Sequence, residues 1–240
     1  MNSIETKNLT KKFKDKVAVN GINLQIKEGE LFALLGVNGA GKTTTIKMLS
    51  GLILPTNGDI KILNMDMKKD MIKIKEHLNV SPQETAIAQN LTVKENLEFM
   101  AGVYQIKEKD TNIEELIKQF KLNDVLNKKA KTLSGGWQRK VSIALSLIND
   151  PQVLFLDEPT LGLDVIARKE LWKVIESLKG KITIILTTHY MEEAESLSDR
   201  IGIMSEGNLV AVGTSKELIK KAKARNFEDA FVNIATGGEL

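Results

Sequence analysis

Cysteine is absent from the 240 residues, which excludes disulfides and thiolate metal sites. The two histidines, His77 and His189, are too few and too far apart for a zinc cluster, and His77 reads as a surface residue. Only four prolines and no low-complexity tract occur, so no linker divides the chain. Aromatic residues make up 5%, and a formal charge of +3 is the remainder of nearly balanced acids and bases, mostly lysine with few arginines. A nucleic-acid surface needs a basic stripe with stacking aromatics, so no nucleic-acid partner is expected. No apolar run approaches the length of a bilayer span. The opening MNSIETKNLTKKF has no apolar segment of signal-peptide type, which makes the cytoplasm the expected compartment.

What is present suffices for a sizeable core. Hydrophobic residues reach 42%, enough for one large domain or a domain with an inserted lobe. Ile22, Leu24 and Ile26 alternate as in a half-buried strand. LFALL at 31–35, VLFL at 153–156 and ITIIL at 182–186 are continuous short apolar runs, the pattern of strands buried on both faces. Residues 85–150 read mainly as helices, with Ile113, Leu116, Ile117 and Phe120 on one helical face. Leu171, Val174, Ile175 and Leu178 repeat that spacing between two strand runs, giving a βαβ unit. The expected fold class is α/β, a parallel core with helices and an inserted helical lobe.

Leu31–Leu35 runs into Gly36-Val37-Asn38-Gly39-Ala40-Gly41-Lys42-Thr43-Thr44, which fits G-x-x-x-x-G-K-[ST] and leads into a helix-like segment ending near Gly51. Glycines let backbone N–H groups turn inward around phosphates, and the helix N-terminus adds its positive end. Lys42 then supplies charge to the β- and γ-phosphates and Thr43 a hydroxyl to Mg²⁺. A glycine-rich turn without a ligand is the bland alternative, and the strand–loop–helix order weighs against it. The run Val153–Leu156 ends in Asp157 and Glu158, expected to hold the metal and to face the attacking water respectively. In KTLSGGWQRK, Ser134 takes the N-cap position of a helix through Val141, Ala144, Leu145 and Ile148, with Gly135 and Gly136 leaving N–H groups bare at a positive end.

The set Gly36–Thr44, Gln83, Leu133–Gly136, Val153–Glu158, Asp164 and His189, in this order and spacing, closely resembles the nucleotide-binding subunit of ATP-binding-cassette (ABC) transporters, over essentially the whole chain. The resemblance implies a P-loop NTPase: a RecA-like core, an N-terminal antiparallel β subdomain and an inserted α-helical subdomain. Residues 1–240 would form a single domain, with the helical insertion at approximately 85–150 and a short helical tail at approximately 214–240. It implies ATP and Mg²⁺ as ligands, with Phe13 stacking on adenine and Asn38, Gly39, Ala40, Gly41 and Thr44 completing the phosphate loop. Gln83 would join metal and attacking water to the lobe that meets a membrane subunit, and His189 would contact the γ-phosphate.

Two subunits, identical or not, would sandwich two ATP head to tail. Lys42, Thr43 and Asp157 of one would face Ser134, Gly135 and Gly136 of the other, with Asp164 also at the nucleotide. Residues 91–104 would dock a polytopic membrane permease, placing the protein peripherally at the cytoplasmic side of the membrane. TTHYMEEAESLSDRI and NFEDAFVNIATGGE resemble the subgroup that energises ABC-2-type exporters. Trp137, Leu161 and Val165 depart from the family pattern, the first two where subunits should meet, and SPQ lacks the usual apolar residue before its proline. A soluble ABC ATPase with another kind of partner shares every catalytic motif, whereas a P-loop kinase or GTPase predicts no signature, glutamine or histidine motif.

Overall fold

The computed structural model describes residues 1–237, so the last three residues of the expected tail, with the closing Gly238 and Glu239 of NFEDAFVNIATGGE, lie outside the described residues. Two sheets carry the fold. Strands β1 (Asn2–Phe13), β2 (Lys16–Lys27), β4 (Asn57–Ile62) and β5 (Met65–Asp66) form an antiparallel sheet in the order β2-β1-β4-β5. The second has six strands in the order β10-β9-β3-β8-β7-β6, built from β3 (Leu31–Leu35), β6 (Leu78–Ser81), β7 (Val153–Asp157), β8 (Thr183–Thr188), β9 (Arg200–Ser205) and β10 (Asn208–Gly213). All of its pairings are parallel except β10 with β9.

The apolar runs explain the order. Every residue of β3, β7 and β8 is buried, which suits interior parallel strands covered on both faces. Alternation then divides each between two cores: Leu31, Ala33 and Leu35 enter one with Leu154, Leu156, Ile184 and Leu186, while Phe32 and Leu34 enter the other with Val153, Phe155 and Ile185.

The second core also takes the inward faces of β1, β2 and β4 and the helix α1 (Lys42–Leu49), whose Ile46, Met48 and Leu49 are buried between the two sheets. The first core extends into α3 (Val93–Val103), α4 (Lys109–Phe120) and α5 (Gly135–Leu145), which follow the short helix α2 (Met71–Glu76) and the strand β6. Helix α6 (Val165–Leu178) joins β7 to the parallel neighbour β8, the βαβ unit read from the sequence, and buries Leu171, Trp172, Ile175 and Leu178. Helices α7 (Met191–Leu197), α8 (Ser215–Ala222) and α9 (Phe227–Ala235) complete the described chain. The carboxyl ends of β3, β7 and β8 emerge side by side, with Leu35 opposite Thr188 and Asp157 opposite Thr187. Chemistry-bearing loops therefore leave the sheet at one edge, as parallel α/β sheets require.

Candidate functional site

The segment from Gly36 to Gly41 carries the chain from β3 into α1, and each of its constrained glycines has a reason. A Cβ on Gly36 would lie 2.5 Å from the Met204 carbonyl oxygen. One on Gly41 would lie 2.4 Å from the Ala18 carbonyl oxygen, at a φ of +103° that L side chains avoid. At Gly39 the φ is +85°, but the space around it is open. Gly41 offers α1 no side-chain cap, and no acid stands in the first turn of the helix. The leading N–H groups of α1 and its positive dipole end are thus left for an anion, which is the fit a phosphate needs.

Six side chains converge at this loop. Lys42 Nζ donates to the carbonyls of Gly36 at 2.8 Å and Val37 at 3.3 Å, and lies 3.3 Å from Glu158 Oε1. The second carboxylate oxygen of Glu158 is 2.8 Å from His189 Nδ1. Thr43 Oγ1 donates to Asp157 Oδ1 at 3.0 Å, and Thr187 Oγ1 donates to the same oxygen at 2.5 Å. Thr187 also accepts from the Glu158 N–H at 3.0 Å, helping to hold Glu158 at a φ of +48°. Lys42, Asp157 and Glu158 are each almost wholly buried, at 5%, 5% and 6% exposure, so their charges act in a poorly screened setting.

These groups border a cleft of about 510 Å³ lined by Phe13, Lys16, Ala18, Asn38, Gly39, Gly41, Lys42, Thr43, Thr44, Gln83, Glu158, Leu161 and His189. Phe13 is half-exposed at its mouth, with Lys11 Nζ 5.0 Å from its ring. The hydroxyl of Thr43 and the carboxylate of Asp157 offer hard oxygen donors, with Gln83 at the rim. Among the described residues no group of three or more His, Cys, Asp or Glu stands ready for a metal. A cation there would keep water and substrate oxygens among its ligands, which is the habit of Mg²⁺.

Other expected residues lie elsewhere. Ser134 occupies the N-cap of α5 but makes no side-chain capping bond, and both it and Gly135 are exposed away from this cleft. Gly136 packs close to α6, where a Cβ would come within 3.1 Å of the Ala167 Cβ. The Asp164 carboxylate is spent as the cap of α6, accepting from the N–H groups of Ile166 and Ala167 at 2.9 Å each. Trp137, expected beside a subunit interface, is partly buried in a groove between its lobe and α6, lined by Phe120 and Val174, and Lys140 Nζ lies 4.6 Å from its ring.

Sequence reading overlooked two residues that organise the site. Thr187 bridges Asp157 and Glu158 as described. Arg139, on α5, donates to the carbonyls of Pro159 at 2.8 Å, Asp157 at 2.7 Å, Pro82 at 2.5 Å and Gln83 at 3.2 Å, tying the Gln83 segment to the end of β7. Burial pushes its guanidinium down to about 10 against the pull of Asp157, Glu193 and Glu158, so it stays charged at neutral pH. In a lysine-dominated chain the only signal was an arginine where the helix turns inward.

The family model described as ABC transporter matches residues 19–161. The chain is 42% identical over 228 residues to the probable multidrug ABC transporter ATP-binding protein YbhF of Escherichia coli (strain K12), covering 94% of this chain and 39% of that protein. It is 42% identical over 224 residues to the human phospholipid-transporting ATPase ABCA3, covering 91% of this chain and 13% of that one. It therefore spans about two fifths of the first relative and much less of the second. Among solved structures, the ATP-binding subunit of an ABC transporter superposes with a TM-score of 0.86 at 28% identity, covering 96% of this chain and 98% of that one. A dimeric ATP-binding cassette in a post-hydrolysis state with ADP and Pi gives 0.78 at 28% identity, covering 88% and 98%.

Proposed function

The chain belongs to the ABC transporter family, and from that premise we propose that it is the ATP-hydrolysing subunit of an ABC-2-type exporter, working as a dimer beneath a membrane permease. The observation that carries this reading is the convergence of Lys42, Glu158 and His189 with Thr43 and Asp157 at the bare helix end of the phosphate loop. Phe13 takes the adenine, while Asn38, Gly39, Gly41 and Thr44 surround the phosphates. Thr43, Asp157 and Gln83 would hold Mg²⁺ through oxygen, and the ion would supply neutralisation of charge on the phosphate oxygens.

Lys42 in this structure is shared between two loop carbonyls and Glu158. A γ-phosphate competes for the ammonium, and Glu158 is released to take a proton from water as the water oxygen attacks phosphorus and the bond to the ADP oxygen breaks. His189 keeps the carboxylate oriented through Oε2. Ser134, Gly135 and Gly136 at the start of α5 and Asp164 at the start of α6 stand away from this cleft, and the exposed end of α5 fits the ATP of a second subunit.

Closure on ATP then drives the permease by favouring one of two states. Exposed Phe99 and Val103 on α3 give the permease an apolar contact, at 58% and 57% exposure. Among the described residues no helix is long and apolar enough to cross a membrane. Attachment at the cytoplasmic face is through the permease contact on α3. The bacterial relative's name as a probable multidrug ABC transporter ATP-binding protein supports the exporter subgroup, and the cargo is set by the permease. Titration of Lys42→Ala with Mg²⁺-ATP tests the assignment: binding is lost, and undiminished binding refutes it. Co-purification of the wild type with a polytopic membrane protein separates the exporter from a soluble ATPase with another partner.

A further inference from the structure

Glu193, in the first turn of α7, is completely buried and takes no part in the cleft described above. Its Oε1 accepts two hydrogen bonds, from Thr160 Oγ1 at 2.8 Å and from Trp172 Nε1 at 3.0 Å. Its Oε2 is buried with no hydrogen-bond partner. The partners belong to separate elements. Thr160 sits two residues beyond Glu158, while Trp172 lies on α6, the helix that Asp164 caps. Thr188, whose hydroxyl also lies beside the carboxyl, directly precedes His189.

We propose that Glu193 is a positioning residue for hydrolysis, a single internal anchor that holds the Glu158 loop against α6 and the His189 loop and so maintains the 2.8 Å contact between Glu158 and His189. The inference rests on the ATPase reading. Three considerations carry it. An acid is costly to bury and is a poor choice for mere filling, since an apolar residue of the same volume serves a core better. Its two donors come from different segments, so truncation frees each segment separately and leaves a buried indole N–H and hydroxyl unpaired. Thr160 stands two residues beyond Glu158 and Thr188 directly precedes His189, so the anchor acts within two residues of each member of the reacting pair, and a misplacement near 1 Å in such a pair costs on the order of 100-fold in rate.

Burial lifts the Glu193 carboxyl above the ordinary carboxylate range, Glu158 adds to the lift, and Thr188, Thr160 and Trp172 oppose it. The Arg139 guanidinium faces it from α5.

The test compares Glu193→Gln and Glu193→Leu in the full chain, below the melting temperature of each, by steady-state phosphate release and by equilibrium ATP binding in EDTA. Glutamine keeps a carbonyl acceptor for Thr160 and Trp172, so Glu193→Gln retains turnover within about threefold of wild type. Leucine keeps volume only, so Glu193→Leu loses kcat about 10- to 100-fold while its ATP dissociation constant stays within about threefold.

A folded Glu193→Leu protein with wild-type kcat overturns the proposal, as does a loss that appears equally in ATP affinity or that Glu193→Gln fails to rescue. Should Glu193→Leu not fold, Thr160→Val and Trp172→Phe remove one donor each. A several-fold fall in kcat with ATP affinity kept supports the anchor, and unchanged kcat in both overturns it. A wild-type chain that hydrolyses no ATP refutes the ATPase reading instead, which keeps the two failures apart.

Discussion

Replacing Glu158 by glutamine removes one charge and keeps the shape, the positive-φ backbone requirement and a carbonyl acceptor for His189. Its effect on the nucleotide-free protein follows from the pairing with Lys42 at 3.3 Å, both residues being almost fully buried. At an effective dielectric of about 20 the gross attraction at that separation is about 5 kcal/mol, much of it offset by desolvation. Breaking a buried pair by removing one charge costs roughly 3–5 kcal/mol, and the retained carbonyl and the two loop carbonyls on Lys42 reduce this to about 2–3 kcal/mol. For a chain of this size that lowers the melting temperature by about 5–10 °C.

ATP supplies the missing anion, so the same variant binds ATP about 30- to 150-fold more tightly than wild type, the 2–3 kcal/mol converted at about 1.4 kcal/mol per tenfold, because no internal pair has to be broken first. ATP at 100 times its dissociation constant then restores about 2.7 kcal/mol. Phosphate release falls by about 10²–10⁴ as the general base is lost. Thermal melts with and without ATP, a binding titration and a phosphate assay read the three effects. An unchanged nucleotide-free melting temperature together with unchanged affinity would refute the lock between Lys42 and Glu158, and wild-type turnover would refute the base.

Arg139→Met should destabilise the fold by about 2–4 kcal/mol in denaturant melts, since methionine keeps the stem but orphans carbonyls at the end of β7. Arg139→Lys should not restore it, because one ammonium does not reproduce a planar fork spread over four carbonyls. Gly41→Ala should abolish ATP binding in a titration, with a Cβ 2.4 Å from the Ala18 carbonyl oxygen, whereas Gly39→Ala, at positive φ in open space, should cost only about 1 kcal/mol of stability. Asp164→Ala should lose about 1 kcal/mol in melts through its two capping bonds and leave the ATP affinity of the isolated subunit unchanged.

Much of this molecule is legible along the chain because its physics there is local. A phosphate loop is a run of adjacent glycines, lysine and threonine between a strand and a helix, so Gly36–Thr44 announces itself without tertiary knowledge. Buried parallel strands read as the continuous apolar runs of β3, β7 and β8 for the same reason. The strands β1, β4, β5, β6, β9 and β10 give weaker signals. They are short, one-sided or, like β1 with its register shifts, irregular, and their pairing is decided by partners far away in sequence.

The functional residues divide on the same line. Residue types and their order pointed to Lys42, Thr43, Asp157 and Glu158, which stand at or beside the end of a strand or the start of a helix, and the family resemblance added His189. Which oxygen meets which proton was settled only when β3, β7 and β8 lay side by side and brought Thr187 between Asp157 and Glu158. Arg139 and Glu193 look like surface charges in sequence, because a helix displays a buried charge and a solvated one with the same spacing. Tertiary packing alone gave Arg139 its four carbonyls and closed Thr160 and Trp172 over Glu193, since hydrogen bonds between segments dozens of residues apart have no signature in the order of residues along the chain.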